Sequence, residues 1–200
     1  MLRIGIDIDD VLYMTSQMIR IEGTIIARNL WGIRIYPDSK YIGLREILGL
    51  NMYQCRAVAK RLPCTSITYF NLDAIDALKN FKARHRDVKY YIVSRRSKSS
   101  VKRVRQILSS EFGLEIDGGW SCVGVQNKSS ICNAKRIDVM LDDEPGNIED
   151  IAMNCSRCVP ICCSDDSVLH NKQFIRTYSG YYLADWDNFE VLVGKIFSIV

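Results

Sequence analysis

The sequence predicts an α/β fold: a Rossmann-like parallel sheet with helices on both faces and an inserted helical cap. Short, continuous apolar runs alternate with segments of helical periodicity, and such runs are typical of parallel strands that are buried on both faces. Several of these runs end in polar residues, as expected at the ligand-binding carboxyl edge of such a sheet. The stretch 13–70 is too long for a simple crossover, so it is predicted to be an insert.

The first strand lies in "RIGIDIDDVLY", where Ile4, Ile6 and Ile8 alternate with other residues before a group of acids. The segment 16–32 has apolar spacing near 3.6 and ends at a glycine, which predicts a helix. Turn residues and short helical pieces follow. We therefore predict a helical cap over residues 13–70 and a core formed by residues 1–12 and 71–200.

The remaining elements continue the alternation of helix and strand. A helix capped by Asn71 precedes an apolar strand that ends at Ser94. Further strands are predicted at Cys122–Val125, at Val139–Leu141 and in "VPICCS". The intervening helices are predicted in "SSVKRVRQILSSEFG", "SSICNAKRI", "NIEDIAMNCSRC" and the terminal "DWDNFEVLVGKIFSIV".

Composition limits the class of protein. The chain has 200 residues, 48% of them hydrophobic and 25% charged, which is ordinary for a globular protein. Its net charge of +4 suits an anionic substrate but is too small to indicate nucleic-acid binding. The sequence contains no apolar run of membrane-spanning length and no secretory signal pattern, so we expect a cytoplasmic protein without a membrane partner. Its eight cysteines are then expected to be reduced core thiols rather than disulfides or a zinc site.

Two pairs of carboxylates follow two different apolar runs. Asp7 and Asp9 end the first strand, and Asp142 and Asp143 follow Val139–Leu141. Clustered carboxylates repel one another unless a cation joins them, and hard oxygen ligands suit Mg²⁺. An aspartate can act as a nucleophile in phosphoryl transfer, and a second acid can protonate the leaving oxygen.

Four segments resemble, in order, the four motifs of the haloacid dehalogenase-like (HAD) phosphohydrolases. They are "IGIDIDDVL", "YYIVSRR", "VQNK" and "DVMLDDEPGN", and the resemblance spans about residues 2–150. Within that superfamily the chain is most similar to the 5'(3')-deoxyribonucleotidase branch and its bacterial and viral relatives. That branch also has a helical cap between the first two motifs.

The resemblance implies roles for the acids. Asp7 matches the nucleophile, which also binds Mg²⁺, and Asp9 matches the general acid and base, whose backbone carbonyl usually binds the metal. Asp142 matches a direct metal ligand and Asp143 a supporting acid. The predicted metal site therefore consists of Asp7, Asp9, Asp142 and Asp143.

The resemblance also implies groups that hold the phosphoryl group. Ser94 matches the second-motif hydroxyl, and Lys128 matches the third-motif lysine, with Lys135 as a rival because the spacing to the fourth motif can be shorter in the nucleotidases. Arg95 or Arg96, directly after Ser94, can reach a phosphate or a second anionic group, and Arg95 is our predicted substrate-binding residue.

The predicted cap contains side chains suited to stacking on a base or gripping a substrate. Tyr41 and Arg45 are the predicted substrate-binding residues there. Trp31, Tyr36 and Tyr53 are further candidates, and most of the set is expected to pack within the cap's own core.

We therefore predict a Mg²⁺-dependent phosphomonoesterase that acts through an aspartyl-phosphate on a nucleoside monophosphate. Two alternatives stay open: a HAD phosphatase for a sugar phosphate or a nucleic-acid 3' phosphate, and a non-catalytic HAD-like binding protein. The expected partner is a small phosphorylated substrate, with no stable nucleic-acid partner, and a homodimer stays open.

Overall fold

The computed structural model describes residues 1–35, 44–124, 127–163 and 180–198. This described part contains one parallel sheet of six strands in the order β3-β2-β1-β4-β5-β6. The strands are β1 (Leu2–Ile6), β2 (Val88–Ser94), β3 (Gly118–Ser121), β4 (Val139–Asp142), β5 (Val159–Cys163) and β6 (Tyr181–Leu183). The predicted α/β class is confirmed.

The chain surrounds this sheet with helices. Before β2 lie α1 (Thr15–Met18), a π-helical turn (Ile19–Gly23), α2 (Thr24–Trp31), α3 (Leu44–Leu48), α4 (Met52–Ala59), a 3₁₀ turn (Ile67–Tyr69) and α5 (Leu72–Arg84). The later ones are α6 (Lys98–Ser110), α7 (Lys128–Lys135), α8 (Pro145–Asn154), a 3₁₀ turn (Trp186–Asn188) and α9 (Phe189–Phe197). Contacts of α5 with α9 and of α7 with α8 define the two helical layers.

The strand order places a topological switch at the centre of the sheet. From β1 the chain moves outward through β2 to β3 and then returns to β4 on the other side of β1. Right-handed crossovers therefore put α5 and α6 on one face and α7 and α8 on the other. Ligands of such sheets bind in the crevice at the carboxyl ends of the strands beside the switch, here β1 and β4.

The central strands are buried because they are apolar on both sides. Ile4 and Ile6 of β1, Ile92 of β2, and Val139 and Leu141 of β4 are inaccessible to solvent. A strand covered on both faces needs such a run, which is why these strands were predictable from the sequence.

Two strands differ from the prediction. The strand predicted at Cys122–Val125 is wrong where the structure describes it, because Val123 and Gly124 form a turn and the strand lies earlier, at Gly118–Ser121. Glycines weaken strand propensity, yet Gly119 is needed here because a Cβ would lie 2.7 Å from Cγ1 of Val101 on α6. The short strand β6 was not predicted at all.

The predicted insert leaves and re-enters the core at adjacent points. Tyr13 and Phe70 form an antiparallel bridge, and the backbone N–H of Asn71 donates to the carbonyl of Leu12 at 2.9 Å. The side chain of Asn71 accepts from the backbone N–H of Ala74, so the predicted helix cap is confirmed. This closure is what an inserted cap requires, and the domain boundaries themselves stay a prediction.

The eight cysteines form no disulfide in the structure. Six of them are buried, as expected of core thiols, whereas Cys64 is exposed and Cys55 is partly buried. Along the described ranges, helices are too short or too polar to cross a lipid bilayer.

Candidate active site

The acids of the first and fourth motifs meet at the switch point. β1 and β4 are neighbours with Ile6 opposite Leu141, and the backbone N–H of Asp7 donates to the carbonyl of Leu141 at 2.9 Å. Asp7 directly follows β1 and Asp142 ends β4, so parallel pairing brings both carboxylates to the same level of the same edge.

Lys128 joins these two carboxylates. It is the first residue of α7 and is only 2% exposed. Its Nζ lies 3.0 Å from Oδ1 of Asp7 and 2.6 Å from Oδ2 of Asp142. The rival Lys135 is exposed at the other end of α7, where its Nζ lies 5.2 Å from the ring centroid of Trp120. The geometry thus places Lys128, and not Lys135, beside the acids.

Asp143 completes what we call the carboxylate cluster: Asp7, Asp142 and Asp143. Carboxylate oxygens of the three residues lie within 4.8 Å of one another. The second oxygen of Asp142 accepts from the backbone N–H of Glu144 at 3.1 Å and from the side-chain amide of Asn147 at 3.0 Å. Asn147 was not singled out from the sequence, although its place in the first turn of a helix that starts beside the acids was a usable signal.

Burial and neighbouring charges both shift the pKa values of the ionisable groups in this site. Burial, reinforced by Asp142 and Asp9, raises the pKa of Asp7 to about 7 although Lys128 lowers it. Burial next to Asp142 and Asp7 raises the pKa of Asp143 well above its ordinary value. Burial alone would lower the pKa of Lys128, but Asp7 and Asp142 raise it above its ordinary value. Lys128 is therefore an ammonium at neutral pH, and one ammonium faces three acids.

The residues present suit a divalent cation. Oδ1 of Asp7 is buried and forms no hydrogen bond within the described part of the chain, although the Lys128 ammonium lies 3.0 Å away. Buried carboxylates are costly unless cations contact them, and here a single ammonium serves three carboxylates. Mg²⁺ prefers such oxygen ligands, so the carboxylate cluster fits the predicted metal.

Asp9 has a different environment from the other acids. Its carboxylate accepts from Nη2 of Arg96 at 2.6 Å and from Nε at 3.1 Å, and from the hydroxyl of Thr15 at 2.5 Å. Arg96 also donates to the carbonyl of Cys64 at 2.9 Å, and its guanidinium lies 4.9 Å from the ring centroid of Tyr13. The Asp9–Arg96 pair therefore ties the predicted general acid to the predicted cap segment.

The structure positions the other predicted residues as follows. Ser94 is fully buried at the carboxyl end of β2, the strand beside β1, and its Oγ accepts from the backbone N–H of Arg96 at 3.2 Å. Arg95 is exposed, and its neighbour Arg96 contacts Asp9 instead.

The two predicted substrate-binding residues of the cap are Arg45 and Tyr41. Arg45 is exposed on α3, and Tyr41 lies outside the described residues. The roles of Ser94, Arg95, Arg45 and Tyr41 stay predictions.

Asp10 has a structural role that sequence reasoning missed. Its φ is +51°, in the left-handed region that favours glycine, and aspartate is among the few other residues that tolerate it. Its carboxylate accepts from the backbone N–H of Ser16 at 2.8 Å and from the Ser16 hydroxyl. Asp10 therefore holds the start of α1 against the loop that carries Asp9.

Comparison with known proteins identifies the fold. A predicted phosphoglycolate phosphatase from Haemophilus somnus 129pt is similar to this chain with a TM-score of 0.66 and 11% identity, over 95% of this chain and 96% of that one. A HAD family hydrolase from Deinococcus radiodurans R1 with bound phosphate and sodium gives 0.64 and 10%, over 96% and 95%. A β-phosphoglucomutase from Clostridium difficile gives 0.59 and 13%, over 99% and 98%.

Comparison of the sequence with protein families and with curated proteins finds no match. The similarity in structure extends over nearly the whole chain, so the fold is that of the HAD hydrolases.

Proposed function

We propose that this protein is a Mg²⁺-dependent phosphomonoesterase that acts through an aspartyl-phosphate. The observation that carries the proposal is the carboxylate cluster around one buried ammonium, at the switch point of a HAD-type fold. When all three acids are ionised, they exceed the single ammonium in charge. A dication would compensate this excess and would also bind a phosphate.

Asp7 is the nucleophile in this proposal. Its carboxylate attacks phosphorus, the bond from phosphorus to the leaving oxygen breaks, and a phosphoryl group is left on Asp7. Lys128, 3.0 Å away, holds Asp7 in place and balances charge on the transferring group. Ser94, buried at the end of the adjacent strand, supplies a hydroxyl to the phosphoryl oxygens.

Asp9 protonates the leaving alcohol and then takes a proton from the water that hydrolyses the aspartyl-phosphate. In the structure its carboxylate is held by Arg96 and Thr15. Asp9 must therefore exchange at least one of these partners for the leaving oxygen. Because Arg96 also bonds to Cys64 of the predicted cap, cap movement and release of Asp9 are mechanically linked.

Asp7, Asp142 and Asp143 would hold the Mg²⁺, with the backbone carbonyl of Asp9 as the further ligand that the sequence resemblance implies. When bound, the ion supplies positive charge that offsets the repulsion between a phosphate and a carboxylate nucleophile.

For the substrate we propose a nucleoside monophosphate, which is supported by the resemblance of the sequence motifs to the nucleotidase branch. A sugar phosphate or another small organic phosphate is the second candidate. It is favoured by the similarity to a β-phosphoglucomutase and to a predicted phosphoglycolate phosphatase. A cytoplasmic location and a possible second copy of the chain as partner stay predictions.

The test is phosphate release from nucleoside 5'- and 3'-monophosphates, sugar phosphates, phosphoglycolate and an aryl phosphate, each with Mg²⁺ and with EDTA. We expect metal-dependent release that falls at least about 10³-fold in Asp7→Asn. Asp76→Asn is the matched control, because Asp76 is exposed on α5. The best substrate separates the two candidates. Full activity in Asp7→Asn, or no release by folded wild type with any member of the panel, would refute the proposed function.

A further inference from the structure

A cavity of about 430 Å³ lies at the outer edge of the sheet, away from the carboxylate cluster. We call it the β3-edge cavity. It lies between α6 and α7 and is closed on its inner side by β3, the terminal strand of the described sheet. Its lining residues are Lys98, Val101, Lys102, Arg105, Gly119, Trp120, Ser121, Ile131, Ala134 and Lys135. This volume is in the range of small-molecule sites.

The charges on its walls have one sign. Four of the lining side chains are basic, and the lining contains no carboxylate. A neighbouring cavity on α6 shares Lys102 and Arg105 but also contains Glu115 and Asp117, so the charge there is balanced. In the described chain Lys98, Lys102, Arg105 and Lys135 form no ion pair with an acid, whereas Lys82 pairs with both of those carboxylates. The β3-edge cavity thus has uncompensated positive charge.

Arg105 is held in place at this wall. Its Nη2 donates to the carbonyl of Ile116 at 2.9 Å, which fixes the guanidinium beside the cavity. A guanidinium that is already fixed loses little conformational freedom when it binds an anionic oxygen, and its hydrogen bonds to an anion are stronger than those to a neutral acceptor.

We propose that the β3-edge cavity is a binding site for a small oligophosphate, of the class of inorganic tripolyphosphate or a nucleoside polyphosphate. Lys98 and Arg105 are seven residues apart on α6, which corresponds to about 10 Å along the helix axis. Cations spread over that distance match a chain of phosphates better than a single phosphate. Trp120 and Lys135 form the opposite wall from α6.

Strand addition by an acidic peptide is the other occupant that an edge strand permits. The structure favours the small molecule. β3 has only four residues, two of them glycines, so it presents a short edge with only two side chains to set a register. The cavity is also closed on two sides by helices.

The site is separate from the proposed catalytic machinery. None of Asp7, Asp9, Ser94 and Lys128 lines the cavity. Two connections run between the cavity and that machinery: the hydroxyl of Ser121 donates to the backbone carbonyl of Arg96 at 2.6 Å, and α7, which forms one wall of the cavity, begins with Lys128. The proposal therefore does not depend on the phosphatase activity.

The experiment is calorimetric titration of the full chain with tripolyphosphate, ATP and orthophosphate in EDTA at 0.15 M salt, where long-range charge effects are screened within about 8 Å. We expect tripolyphosphate and ATP to bind at least about 10-fold more tightly than orthophosphate, a difference of about 1.4 kcal/mol. Lys102→Glu should weaken tripolyphosphate binding at least about 10-fold, and Lys98→Glu should give an independent loss.

Arg103→Glu is the matched control. Arg103 is the next residue on α6, is equally exposed, undergoes the same change of charge and does not line the cavity. We expect its affinity to stay within about 2-fold of wild type, because only screened charge is changed. Equal losses in Lys102→Glu and Arg103→Glu, or no binding of tripolyphosphate, would overturn the proposal. Binding of a decaglutamate peptide without binding of tripolyphosphate would also overturn it and favour strand addition.

Discussion

The carboxylate cluster and the Asp9–Arg96 pair are both charged groups at the carboxyl edge of the sheet. They differ in the ratio of acidic to basic groups and in their exposure to solvent. The cluster has three acids for one ammonium, and its members are nearly inaccessible to solvent. The pair has one acid for one guanidinium, with side chains 35% and 12% exposed. Excess buried charge of one sign requires a further ion or bound protons, whereas a balanced pair near solvent is complete without either.

This difference suggests two roles: the carboxylate cluster would carry out the chemical step, and the Asp9–Arg96 pair would position the general acid. We expect a large free-energy cost when the cluster loses its ammonium, and in the proposed function the cluster is the part of the site that would bind the metal and the phosphate. The pair connects the predicted cap to the core through Thr15 and Cys64, so it controls where Asp9 points. Four experiments test this difference between the carboxylate cluster and the Asp9–Arg96 pair, beginning with the one for which we expect the largest effect.

Lys128→Met should have the largest effect, because it leaves three acids buried without a cation. We expect a loss of about 3–5 kcal/mol in the free energy of unfolding, measured by urea denaturation at pH 7.5 in EDTA. The loss should be smaller at pH 5, below the pKa of about 7 to which Asp7 is raised, because a protonated Asp7 needs no cation. Lys135→Met, on the same helix but exposed, should change stability by less than about 0.5 kcal/mol. Equal effects of the two substitutions on the free energy of unfolding would contradict the inference that Lys128 neutralises the carboxylate cluster.

Removing metal should make stability depend on pH in a defined direction. The folded-state pKa of Asp7 is raised from 3.8 to about 7, so between these values the folded chain binds more protons than the unfolded chain. Stability in EDTA should therefore fall as pH rises from about 4 to about 7. Mg²⁺ at a concentration 100 times its Kd at pH 7.5 should stabilise the protein by about 2.7 kcal/mol at that pH. The same concentration should stabilise it less at pH 5. Thermal unfolding curves that are unaffected by Mg²⁺ at pH 7.5 would contradict a metal site in the cluster.

Arg96→Met should have a smaller effect on stability, because Asp9 is 35% exposed and water can replace the lost donors. We expect a loss of about 1 kcal/mol, together with a fall in kcat of about 10-fold because Asp9 is less well positioned. Arg103→Met is the matched control, because Arg103 is exposed on α6 and has no predicted role at the active site, so we expect little change in either quantity. A kcat loss in Arg103→Met as large as that in Arg96→Met would show that the pair does not position the acid.

Thr15→Val should have the smallest effect, since it removes one hydrogen bond to Asp9 and leaves the guanidinium in place. We expect a cost of about 0.5–1 kcal/mol in unfolding free energy and a change in kcat of less than about 3-fold. Combining Thr15→Val with Arg96→Met in a double-mutant cycle would measure the coupling between the two partners of Asp9. Strict additivity would show that they act on Asp9 independently.

The sequence by itself determined the central sheet and the acids at its edge. β1, β2 and β4 are continuous apolar runs because strands buried on both faces must be, and polar residues directly after them can only lie at the carboxyl edge. Asp7 and Asp142 were therefore predictable as neighbours. The helix cap at Asn71 was equally local, since it depends on residues three positions apart.

Only the tertiary structure decided which side chains pair across distance. The side chain of Lys128 lies between Asp7 and Asp142 while that of Lys135 lies beside Trp120, and both lysines follow the same short strand in sequence. Arg96 rather than Arg95 contacts Asp9, because alternate residues leaving a strand point in different directions. β3 escaped prediction because its glycines weaken the strand pattern and Gly119 is required by contact with α6, and β6 because its short run depends on pairing with β5. Pairing across the fold depends on which elements pack together, and no local pattern of residues contains that information.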